Sequence, residues 1–110
     1  MFNKLILKLL EESDKNVNSY TIDGENVRNK IEMFEVFSKK LKFPNYFGKN
    51  FDALYDMLTD LSWLKKNELS INVQNFNNLS NNDLKLLKST ISNANNYWSK
   101  NNSNITISFN

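Results

Sequence analysis

No cysteine and no histidine occur among the 110 residues of this chain. The first absence excludes disulfides and thiolate zinc sites, and it fits a reducing compartment. The second removes the commonest general base and the commonest metal-binding ring. Glycine occurs twice and proline once, so there is no Gly-rich phosphate loop, and each breaker marks a turn. No apolar stretch approaches membrane-spanning length. Lys4 and Lys8 bracket an apolar run of only three residues, and no small-residue cleavage site follows, which argues against a signal peptide. The expectation is a cytoplasmic chain beginning at Met1. Charge of one sign is scarce as well: the net charge is +2, and the 21 asparagines and many lysines read as base composition rather than as a nucleic-acid footprint.

What is present suffices for one core. The chain is 40% hydrophobic with eight Phe and two Trp, which favours one folded domain over disorder. Residues 20–23 are short and β-rich, with Gly24 marking a turn. Val27, Ile31, Phe34, Phe37 and Leu41 recur at steps of three and four, predicting an amphipathic helix over 27–41. Pro44 and Gly48 make 43–48 a loop. Asn50 is a good N-cap for a second helix over about 51–61. The alternation in 68–73 predicts a strand, and 79–98 a helix capped by Ser80 or Asn81, with Leu84, Leu87, Ile91, Ala94 and Trp98 inward. Residues 104–109 predict a last strand. The order β-α-α-β-α-β gives an α/β fold, a three-stranded parallel sheet packed with helices. Residues 1–16 are an N-terminal extension to the domain at 17–110, and their Leu5, Leu9 and Glu12 suit a short docking helix, with a strand as the alternative.

The helix after Asn50 has two unlike sides. At 100° per residue, Phe51, Leu54, Met57, Leu58 and Leu61 face the core. Asp52, Tyr55, Asp56 and Thr59 fall within about 100° on the other side, with Asp60 at the edge. Asp52, Asp56 and Asp60 are four apart with no cation within reach inside the helix. Each such like-charge pair costs an isolated helix roughly 0.2–0.5 kcal/mol, and the helix dipole helps only the first turn. Solvation of an ordinary surface accounts for charges but not for this repulsion; a cationic partner does. Tyr46 and Phe47 precede this face, and aromatics beside acids are anchor chemistry at protein interfaces, although one ring of the pair also suits a role pinning the loop to the core.

The run IDGENVRN, followed by FPNYFGKNFDALYDMLTD, resembles the barstar family, intracellular protein inhibitors of secreted guanyl-type ribonucleases. The resemblance is detailed over 20–61 and lies in pattern alone beyond it. It implies a barstar-like fold without cofactor or metal, and a monomer in a 1:1 complex with a basic ribonuclease. The family's loop aromatics fall on Tyr46 and Phe47, its loop asparagine on Asn50, and its first helix acid on Asp52. Its helix aromatic falls on Tyr55, the acid that stands in for a substrate phosphate on Asp56, and the following threonine on Thr59. There are departures: Tyr55 stands where tryptophan is usual, and Asp60 and Leu61 replace a glycine–tryptophan pair, with Trp63 two residues further on. The acid of the family's last helix has Asn93, Asn95 or Tyr97 as its possible counterparts. The family is acidic, whereas here 28–43 carries five basic and two acidic residues, and 44–60 three Asp and one Lys.

Other classes fit less well. Paired carboxylates serve glycoside hydrolysis, but these lie on a convex helix face, so no catalytic residue is assigned. Asp52, Asp56 and Asp60 on one face supply too few oxygens for a tight calcium site. Lys39, Lys40, Lys42 and Lys49 with the loop aromatics resemble a nucleic-acid platform, yet the aspartates among them repel phosphate. An immunity or antitoxin-type module binding a different basic partner remains the alternative.

Overall fold

The computed structural model describes residues 18–110. The N-terminal extension, with its expected helix or strand, lies outside the described residues. Strand β1 (Ser19–Asp23) leads into helix α1 (Lys30–Leu41) and helix α2 (Phe51–Leu58). A single 3-10 turn, Ser62–Leu64, follows before strand β2 (Glu68–Gln74), helix α3 (Asn81–Lys100) and strand β3 (Asn104–Phe109). The strands form one parallel sheet in the order β1-β2-β3, with Tyr20 opposite Ile71 and Ile71 opposite Ile107. This is the α/β arrangement that the element order predicts. No helix among the described residues is long and apolar enough to cross a membrane.

Burial alternates along every strand. Ile22, Leu69, Ile71, Val73, Ile105 and Ile107 are buried, while the register aligns Thr21, Asn72 and Ser108 in a polar row between them. Ser108 Oγ donates to Asn72 Oδ1 across that row at 2.8 Å. Among the described residues the helices therefore cover one face of the sheet and leave the other polar, as expected when parallel crossovers of one hand step in the same direction. Gly24 closes the turn after β1, its N–H donating to Gln74 O at 2.8 Å. A Cβ there would lie 2.4 Å from the Phe76 ring, so a side chain is excluded by space.

Helix α1 starts later than the apolar spacing suggests. Asn29 Oδ1 accepts from Glu32 N at 2.9 Å and caps the helix, leaving Val27 buried in the preceding turn. Met33, Phe34, Phe37 and Leu41 form its inner side, and Ile31, expected there, is 65% exposed. Ile31 lies roughly 110° from the centre of the arc those four define, so it faces water. At α3, Ser80 Oγ is the cap, accepting from Asp83 N at 3.1 Å. Leu87, Ile91 and Ala94 are buried as expected, whereas Leu84 and Trp98 are only partly buried at the border of the core.

Candidate protein-binding site

The site is assembled on α2 by a cap, a core side and an exposed side. Asn50 Oδ1 accepts from Ala53 N at 2.7 Å, while its amide reaches back to Gly48 O at 3.4 Å. This side chain therefore fixes the angle at which the loop enters the helix. Phe51 stands edge-on to Phe34 with ring centroids 5.2 Å apart, and Leu54, Met57 and Leu58 are buried. Anchoring that side turns Asp52 and Asp56 outward as exposed residues, with Tyr55 half-buried between them. Neither carboxylate forms an ion pair or accepts a hydrogen bond among the described residues.

The helix ends three residues earlier than the sequence predicts. Thr59 is its C-cap, its hydroxyl donating to Tyr55 O at 2.8 Å and more weakly to Asp56 O at 3.4 Å. Leu61 then takes a left-handed conformation, φ 56°, and is 2% exposed. Burying Leu61 swings the chain into the 3-10 turn, where Trp63 Nε1 donates to Leu41 O at 2.8 Å and its ring meets Phe43. Asp60 consequently lies off the helix, its Oδ1 accepting from Ser62 N at 3.3 Å. The expected stack of three acids is thus an aligned pair, Asp52 and Asp56, with Asp60 beyond the helix end.

The preceding loop separates its two rings. Phe47 is 8% exposed and packs edge-on against Phe34 at 5.9 Å and Phe43 at 4.9 Å. Tyr46, its neighbour, is 70% exposed. Phe47 is the ring that pins the loop, and Tyr46 the ring offered outward.

Between α2 and α3 runs an open groove of about 580 Å³, with Asp52 and Tyr55 on one wall and Asn93, Asn96 and Tyr97 on the other. Trp98 holds the two helices together, its Nε1 donating to Leu58 O at 2.7 Å. Of the three α3 residues that sequence reasoning leaves open, Asn93 and Tyr97 share the groove with the acids. Asn95 faces the sheet instead, its Oδ1 accepting from Ile107 N at 2.9 Å. Leu86 and Asn96 also line the groove and were not anticipated. Leu86 left a trace in the sequence, an apolar position on α3 off the buried stripe and 41% exposed, whereas Asn96 left none. No group of three or more potential metal-binding side chains occurs among the described residues.

A segment of 38 residues, 34% of the chain, is 45% identical to “Putative ribonuclease inhibitor YrdF” of Bacillus subtilis (strain 168). That match spans 42% of the relative's own length. The family model described as Barstar (barnase inhibitor) matches residues 17–110. The chain therefore belongs to the Barstar (barnase inhibitor) family.

Proposed function

We propose that this chain is a protein inhibitor of a basic ribonuclease and acts by filling the nuclease active site. The observation that carries the reading is the pair Asp52 and Asp56, exposed one helical turn apart and with no ion pair to either among the described residues. Carboxylates held that way complement the Arg and Lys side chains that grip RNA phosphate. In this reading the Asp56 carboxylate occupies the phosphate position, and Asp52 meets a neighbouring cation. Tyr55 and Tyr46 supply aromatic contact, while Phe47 and Asn50 hold loop and helix in register. Thr59 and Asp60 border the contact, and Asn93 and Tyr97 extend it across the groove. The inhibitor performs no chemistry of its own; it works in the cytoplasm as a monomer in a 1:1 complex, without cofactor.

The test is inhibition of a panel of guanyl-specific ribonucleases by wild type and by Asp56→Ala. Truncating one partner of a desolvated charge pair costs about 2–5 kcal/mol, a range to which the family's namesake complex itself contributes. That corresponds to roughly thirty- to several-thousand-fold weaker binding. Inhibition of none of the panel points instead to an antitoxin-type partner of another fold. Salt-dependent binding of RNA alone would point to a nucleic-acid platform.

A further inference from the structure

Lys49 sits inside the proposed contact, between exposed Tyr46 and the cap Asn50, and three residues ahead of Asp52. Its side chain is exposed and its backbone is left-handed, φ 51°. Two local effects disfavour a lysine here. It is a cation at the positive end of the α2 dipole, and its φ is one that asparagine and glycine adopt more readily. Lys49 forms no ion pair among the described residues, not even with nearby Asp52, and its ammonium lies over no aromatic ring.

A target that offered only cations to this face would be repelled at Lys49. Lys49 also has a basic border behind it, since Lys39, Lys40 and Lys42 are exposed at the end of α1. Phe43, which follows Lys42, packs on Phe47 at 4.9 Å, so this border adjoins the loop. The contact therefore carries both signs, the acids Asp52 and Asp56 on α2 and the cation Lys49 in the loop before it. Its complement is a cluster of cations with an anion at one side. A ribonuclease whose general base is a Glu or Asp side chain has such an anion available.

We propose that Lys49 determines which nuclease is bound, by pairing with a target carboxylate beside the cations met by Asp52 and Asp56. The proposal rests on the ribonuclease-inhibitor reading and names a feature of that target. Small secreted guanyl-specific ribonucleases serve as probes. Dissociation constants are measured for wild type, Lys49→Gln, Lys49→Glu, Lys49→Arg and Asp56→Ala, each checked for a melting temperature no lower than that of wild type. For the enzymes that wild type inhibits, Lys49→Gln should weaken binding about tenfold and Lys49→Glu further still, with Lys49→Arg close to wild type. If Asp56→Ala weakens binding while Lys49→Glu leaves it unchanged or tighter, the Lys49 proposal is overturned and the inhibitor reading stands. If neither Asp56→Ala nor any Lys49 variant changes binding, or if wild type inhibits no member, both fall together.

Discussion

Tyr46 and Phe47 are adjacent in the chain and opposite in fate, one 70% and the other 8% exposed. Phe47→Ala removes a ring held by Phe34 and Phe43, and should cost about 3–5 kcal/mol of stability in denaturant unfolding. Tyr46→Ala should leave stability within about 0.5 kcal/mol and weaken inhibition, so the two variants separate the structural ring from the binding ring. If instead both substitutions unfold the protein equally, Tyr46 pins the loop as much as Phe47 does. The outward set Asp52, Tyr55 and Asp56 was legible in the sequence because helical spacing is a local property. Which aromatic turns inward was not, because the answer depends on rings that other elements bring to the loop. Ile31 shows the same limit: its spacing fits the stripe, but the cap at Asn29 and the packing of Met33 decide which side of α1 faces inward.

At the scale of elements, strand β3 and the order of the fold could be read directly from alternation and turn residues. The end of α2 could not, since it is set by where Leu61 finds cover and by Trp63 bonding to Leu41 O 22 residues back. The α2–α3 groove likewise depends on a long-range contact, the Trp98 bond to Leu58 O. Trp98→Phe keeps most of the apolar ring and leaves that carbonyl without its indole partner. The expected loss is about 1–3 kcal/mol of stability, read in thermal unfolding, with weaker inhibition as the groove loosens; unchanged unfolding would show that the bond does not hold the helices.

At the start of α1, the Glu32 carboxyl is held below its usual range, first by its hydrogen bonds from the Arg28 side chain and then by that from the Arg28 backbone. A carboxyl with a depressed folded-state pKa contributes stability that is present above its unfolded pKa and lost as pH falls through the folded one. Arg28→Ala should therefore flatten the acid side of the stability–pH curve and leave its neutral-to-basic shape unchanged. An unaltered acid limb would show that the exposed pair contributes nothing measurable, as many surface pairs do.

For the whole molecule, charge is local rather than global: the net charge is +2, yet Asp52 and Asp56 on the exposed side of α2 form no ion pair among the described residues. Long-range attraction to a basic nuclease is then weak even where the contact itself is complementary. The association rate should change by less than about tenfold between low and physiological salt, in stopped-flow measurements with an inhibited nuclease. A steep fall with salt would mean that the acidic face dominates the whole field. Among the described residues the fold leaves the same signature, one polar sheet face, one apolar core and an exposed acidic face made by α2 beside the loop before it.

The most direct measurement is the inhibition constant of wild type and Asp56→Ala against guanyl-specific ribonucleases, with thermal unfolding of both proteins alongside. If Asp56 fills the phosphate position, wild type inhibits, the variant loses roughly thirtyfold or more, and its melting temperature is unchanged or slightly raised as one repulsion disappears. Equal inhibition by the two proteins would contradict that role for Asp56.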